Sequence, residues 1–321
     1  MSTFENSKTH ILNLGSLVSE IPNLIGFVPE QSLVLIGVSH DSISLTTRTD
    51  LPAAEDREAL VDYLMVVNKR QAEHVVAVVV GGEFLDKHAL VEELQAGCQR
   101  HGIGLRAVWT PALRAGEPWV CFHDADCEGL VHDTSASPLA AAAAASGFYR
   151  YNSREDIEAT VAPIPDAART NLRRRLQAWQ VQTAPAASLR DAANPVFDAL
   201  ERLRGGEVLG TEQTVAALGT IHSNTRVRDL MFTIQESAAA QLWTILLRQA
   251  PDSYAADVAA LLAVYAHLHG DSPLANVALD RALTATPTHR VATLLREMFL
   301  LPPDQLRGLI DDLATDPGLQ L

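Results

Sequence analysis

The chain has 321 residues, of which 47% are hydrophobic and 20% charged, and its formal net charge is −14. That much apolar material suffices for two cores and excludes wholesale disorder, and the length favours two domains. The acidic balance excludes the broad basic face that grips nucleic-acid phosphates, so no nucleic acid is expected as a partner.

The three cysteines, Cys98, Cys121 and Cys127, are few and odd in number. That usage implies a reducing compartment rather than a disulfide scaffold. Residues 1–10 are polar and mixed in charge, unlike a basic and then apolar leader. The longest apolar runs are strand-sized. A cytoplasmic protein with no membrane partner is expected.

In chain order, residues 12–25 have helical spacing at Leu14, Leu17, Val18 and Ile21, and Pro22 should end or kink that helix. A turn from Gly26 to Glu30 leads into the buried strand 32–38. Residues 39–42 are polar and short enough to make a hairpin with the alternating, β-branched run 43–49. A helix opens at Pro52 with Leu60, Val61, Leu64 and Val67 on one stripe. A second buried strand, 75–80, is closed by Gly81-Gly82. A helix over 86–100 follows, with Leu90, Val91, Leu94 and Cys98 inward and His101-Gly102 as its stop. Strands 105–110 and 119–122 complete the half. Helix-joined strands should run parallel and hairpin partners antiparallel, which gives a mixed sheet of about five strands in an α/β domain.

Residues 123–137 are polar and show no period. Pro138 then opens an alanine-rich helix with Ser137 as N-cap and Gly147 as its end, and Ser153 opens a short helix. Ala162-Pro163-Ile164-Pro165 reads as the linker, so the domains are expected at 1–165 and 166–321. After Asp166 every apolar pattern has helical period, and prolines, among them Pro302-Pro303, punctuate the helices near their starts. Arg169, Arg173, Arg174 and Arg175 read as a solvated helix face. Gly270, Ala275, Ala282 and Pro287 have the spacing of the small-residue skeleton of one tetratricopeptide-like helical hairpin. The second half is therefore expected to be all-helical.

Chemistry-bearing residues are sparse. The densest set of metal-ligand types is Cys121, His123, Asp124, Asp126 and Cys127, with His132 close behind. Cysteine, histidine and carboxylate suit zinc, but the Cys-x5-Cys spacing is not that of a common zinc ribbon. No cofactor is predicted, and zinc is left as the one metal this loop would take. Gly81 and Gly82 follow a buried strand and precede a helix, and with Glu30 they are the candidate ligand-binding residues at the sheet's carboxyl edge. A tight turn accounts for the two glycines equally well. The phosphate-loop, dinucleotide-binding, nucleophile-elbow and zincin patterns are all missing from the sequence. His267 and His269 fall on different faces of one helix end, and Arg228, Asp229 and Glu236 read as ion-pairing residues.

Several segments together resemble the bacterial family called domain of unknown function 4192. They are Gly26-Phe-Val-Pro-Glu-Gln-Ser-Leu-Val34, Trp119-Val-Cys121, Glu128-Gly129, Ser137-Pro138-Leu-Ala-Ala141, Ser153-Arg-Glu155, Arg228-Asp229 and the stretch from Gly270 to Pro287. The resemblance spans nearly the whole chain and implies a cytoplasmic protein of high-GC bacteria, with no activity attached. In that family the segment around Cys127 is richer in Cys and Pro, and Glu128 stands here instead, which argues against zinc. Without a catalytic template, the expected function is interaction or regulation, the helical half binding a protein partner, with a homo-oligomer left open. The alternative is an enzyme or small-ligand binder using the sheet edge and the 121–133 loop.

Overall fold

The computed structural model describes residues 13–40, 42–69, 72–145, 150–182, 186–300 and 303–319. The chain divides into two compact units, up to Arg154 and from Glu155 onward. Gly147, Pro302 and the residues before Asn13, all used in the sequence reading, lie outside the described residues.

The first unit is built on a mixed sheet. Its strands are β1 (Ser32–Ser39), β2 (Ser42–Asp50), β3 (His74–Val80), β4 (Gly104–Thr110), β5 (Pro118–Cys121) and β6 (Glu128–Leu130), in the order β2-β1-β3-β4-β5-β6. β3 and β4 are parallel, joined through α4 (His88–Arg100), and every other neighbouring pair is antiparallel. β2 and β3, joined by α2 (Leu51–Ala54) and α3 (Arg57–Lys69), run the same way on either side of β1. The described residues form six strands, close to the expected five. The addition is β6, three residues inside the stretch that reads as polar and aperiodic. So short a strand, exposed at Glu128 and Leu130, has no room to display a period.

β1 and β3 are buried along almost their full length. Continuous apolar runs of this kind mark strands covered on both faces. On one face, Leu33, Leu35, Val75, Ala77, Val79 and Ala107 pack with the inward stripes of α3 and α4. Cys98 lies in this layer, and burial pushes its thiol up to about 11. The opposite face carries Val34, Ile36, Val76 and Val78, also fully covered. There α1 (Leu14–Ile25) approaches both β2 and the Trp119 ring of β5, and a Cβ on Gly15 would lie 3.1 Å from Trp119 Cζ2.

α1 does not end at Pro22. It continues to Ile25 and stops at Gly26, whose φ is 79°. Proline removes one backbone donor, and only three residues of helix follow it. Burial of Leu17, Val18, Ile21 and Ile25 outweighs that loss. Polar groups of α1 hold the chain after β6. His132 N–H donates to Ser19 Oγ at 2.8 Å, Asn23 Nδ2 to Thr134 O at 3.1 Å, and Ser137 Oγ to the buried Glu20 carboxylate at 3.2 Å. Ser137 also caps α5 (Pro138–Ala145), accepting from Ala140 N–H.

From Glu155 onward, no strand occurs among the described residues. α6 (Arg154–Val161) leads to α7 (Asp166–Gln182), α8 (Leu189–Arg204), α9 (Thr211–Ser223), α10 (Thr225–Met231) and α11 (Ser237–Gln249). α12 (Asp252–Leu268), α13 (Ser272–Ala285), α14 (Arg290–Met298) and α15 (Pro303–Thr315) complete the unit. The proline-rich stretch 162–165 belongs to it, and Ile164 N–H donates to Arg248 O at 2.8 Å. Arg169 of the basic run is turned inward, paired with Asp166 and Asp252, while Arg173, Arg174 and Arg175 face solvent. Asp252 also takes Arg281, which ties α7, α12 and α13 together.

α12 and α13 form the expected hairpin. Gly270 makes its turn at φ 84°, Asp271 caps α13 through Leu274 N–H, and Ala275 and Ala282 are fully buried where the helices touch. Replacing Gly270 with alanine forces a Cβ into the left-handed region. It should cost about 1–2 kcal/mol in urea unfolding, with helical content by circular dichroism unchanged.

Candidate functional site

The sheet edge brings the three candidate ligand-binding residues to one place. Ser32 pairs with Val80, which pairs with Thr110, so Glu30 and Gly81-Gly82 leave the sheet on the same side. Gly81 has φ 89° and Gly82 φ 67°. Gly81 N–H donates to Thr110 O at 2.9 Å, and its carbonyl accepts from Trp109 Nε1 at 3.2 Å. The space above the turn is filled by the protein itself. A Cβ on Gly81 would lie 2.6 Å from Gln31 Nε2, and one on Gly82 2.6 Å from Lys87 Cε. Lys87 Nζ in turn pairs with Glu55 at 2.7 Å, and Glu30 forms an exposed pair with Arg114 at 3.3 Å. Close approach of side chains to backbone therefore accounts for both glycines.

In the loop of metal-ligand types, the structure joins two of the six residues. Cys121 and Cys127 face each other across the β5–β6 hairpin and form a disulfide, with Cα atoms 5.5 Å apart. Their low count had implied free thiols. The unread hairpin is what places them opposite, because Val120 pairs with Glu128. Asp124 accepts from Asp126 N–H in a local turn, and His132 follows β6 alongside α1. Among the described residues, no group of three or more His, Cys, Asp or Glu side chains is arranged to hold a metal ion. Cys98 should resist alkylation in the native protein, since burial keeps it a thiol. Labelling it in the folded, reduced chain at the rate of an unfolded thiol would contradict its placement.

The helical unit holds a polar centre that sequence spacing did not reveal. Asp257 lies in the middle of α12 and is 8% exposed. Its Oδ1 accepts from Arg228 Nη1 and from His289 Nε2, both at 3.1 Å, and its Oδ2 lies 3.2 Å from His222 Nδ1. His289 Nδ1 accepts from Ala292 N–H and caps α14, so its proton sits on Nε2, facing Asp257. His222 also lies against the Tyr254 ring, with centroids 4.4 Å apart and planes tilted by 49°. Burial alone would raise the Asp257 pKa, but the bonds from His222, His289 and Arg228 outweigh it and hold the carboxyl well below the usual range. Burial alone would lower Arg228, and its bonds to Asp229 and Asp257 raise it instead. The signal available in the sequence was an aspartate between Ala256 and Val258 in the largely apolar run of that helix.

Arg228 and Asp229 also stand at the end of a groove of about 460 Å³. Its walls are aliphatic, from α12 (Val264), α14 (Val291, Leu294, Leu295, Met298) and α15 (Leu306, Leu309, Ile310). Leu294 is 54% exposed and Leu309 49%. Asp312 and Asp316 add carboxylates to the lining. His267 and His269 take no part. The first is buried against Phe299 and the second stacks on Tyr265.

Because the folded-state pKa of Asp257 is depressed, its stabilisation is complete above the unfolded value, about 3.9, and is lost as pH falls below it. Asp257→Asn removes the charge that Arg228 faces. It should lower stability at neutral pH by about 3–5 kcal/mol and flatten the loss of stability below about pH 4, both read from urea titrations across pH.

The family model described as domain of unknown function (DUF4192) matches residues 15–300. The match covers most of the chain, from the sheet through α12 and α14 but not α15, and the chain belongs to that family. No curated protein and no solved structure matches it.

Proposed function

We propose that this member of the DUF4192 family binds a protein partner through its helical unit, with the groove between α12, α14 and α15 as the docking site. The observation that carries the reading is the pair of half-exposed leucines, Leu294 on α14 and Leu309 on α15, that line an aliphatic groove. Isolated exposed leucines are ordinary on a protein surface, whereas a concave set of them favours a ligand. The polar groups of the lining are Arg228, Asp229, Asp312 and Asp316, and Arg228 is engaged with Asp229 and Asp257. Few donors are left to orient a polar metabolite. Aliphatic side chains on one face of a helix suit such a groove, with Met298 as an adaptable contact.

Charge narrows the partner. With Arg228 paired to Asp229, Asp312 and Asp316 leave the groove acidic, in a chain of net charge −14. A basic, amphipathic segment complements it, and complementary charge raises the encounter rate.

The test is affinity capture with the intact chain and with Leu294→Asp and Leu309→Asp, each checked for unchanged circular dichroism. Capture of a basic partner should weaken about a hundredfold in either variant, and wild-type binding should weaken with salt. A partner held equally by both variants, or one that follows residues 13–150, would refute the reading.

A further inference from the structure

One margin of the sheet carries an interaction surface that rests on observations separate from the groove. β2 is the edge strand, and among the described residues it pairs only with β1. One bond fixes which of its backbone groups are engaged. Leu51 N–H donates to Gln31 O at 2.8 Å, in register with the pairing of Ser32 and Asp50. Bonded and non-bonded pairs alternate along an antiparallel ladder. Leu45, Thr47 and Thr49 therefore bond to β1, and Thr46, Arg48 and Asp50 direct their N–H and C=O groups to the open margin.

An open edge is a template for another strand, and proteins usually blunt it with lysine, proline, brevity or a bulge that twists it away. β2 has nine residues and neither lysine nor proline. Its one register shift lies near the hairpin end, opposite Gly37 and Val38, and the ladder from Leu45 to Asp50 is regular. Its one basic side chain does not guard the edge. Arg48 Nε donates to Ser32 Oγ at 2.8 Å, its guanidinium lies 5.7 Å from the Phe27 ring centre and pairs with Asp50, and the side chain is 12% exposed.

We propose that β2 pairs antiparallel with β2 of a second copy of this chain, about a two-fold axis that passes at Thr46 or at Thr47. The strand is self-complementary there. With the axis on Thr46, Arg48 faces Ser44 and Asp50 faces Ser42. With the axis on Thr47, Arg48 faces Thr46 and Asp50 faces Ser44. Like charges never meet, and threonine faces threonine at the centre, a favourable cross-strand pair. An axis on Arg48 would oppose two guanidinium groups. A foreign strand would use the same backbone groups without this symmetry.

The experiment measures the mass of the full chain by light scattering after gel filtration. The wild type is expected at twice the chain mass. Thr46→Pro removes a donor that faces the margin and leaves the β1 ladder whole, because Thr46 opposes Ile36 in a non-bonded pair. Thr46→Lys keeps the donor but sets the introduced ammonium against a positive charge of the second copy, either the same substituted position or Arg48. Both variants should run as monomers with wild-type circular dichroism, and salt should restore the dimer in Thr46→Lys alone. If Thr46→Pro misfolds, Thr46→Lys decides. A wild-type monomer overturns the proposal, including one that takes up an added extended peptide at β2. A dimer that persists in Thr46→Lys at low salt overturns it as well.

Discussion

Asp257 sits where a carboxylate is costly. Its neighbours on α12 are buried, and removing an isolated charge from water costs several kcal/mol even after relaxation. The cost is offset only because three donors converge on it, from three other helices: His222 at the end of α9, Arg228 in α10 and His289 at the start of α14. Removing any one of them leaves a buried charge incompletely satisfied, so the four elements hold one another in a single arrangement. His289 has two duties, since the ring that donates to Asp257 also caps α14. A change at Asp257 therefore reaches the first turn of a helix that lines the groove, without touching the groove itself.

The same reasoning explains why the groove can stay open. Aliphatic walls facing water tend to collapse unless their elements are held apart. α10, which supplies Arg228 and Asp229 to the groove end, is fixed through the Asp257 cluster, and α14 is fixed through its cap. Arg307 Nη2 on α15 donates to Leu268 O at the end of α12. The third wall is thus anchored by a hydrogen bond to a helix-terminal carbonyl. Polar bonds set the frame, and the apolar side chains lie between them.

What the sequence made legible followed from periodicity and turn chemistry. The continuous apolar runs of β1 and β3, the helical stripes of α3 and α4, and the skeleton from Gly270 to Ala282 all appear where spacing placed them. Illegible features depend on contacts between residues far apart in the chain. β6 is too short to show a pattern, and without it Cys121 and Cys127 could not be placed opposite each other. Asp257, His222 and His289 share no local motif, and they meet only because α9, α12 and α14 pack together. That Pro22 does not end α1 has a related reason. A local helix breaker was weighed without the buried face that keeps α1 helical past it.

The two proposed surfaces bear on each other through valence. β2 belongs to the sheet unit and the groove to the helical unit, so pairing through β2 consumes no groove residue. A β2-paired dimer would carry two acidic, aliphatic grooves on one particle. A partner with a single basic segment would bind each groove independently, with an affinity indifferent to dimerisation. A partner with two such segments would make its second contact at an effective concentration set by the chain between them, in the millimolar range for a short flexible linker. Modest single-site affinity would then suffice for firm binding, and weakening the β2 edge would loosen a two-segment partner while leaving a one-segment partner unaffected. In that arrangement the groove would decide which chemistry is recognised, and the edge how many copies of it are counted.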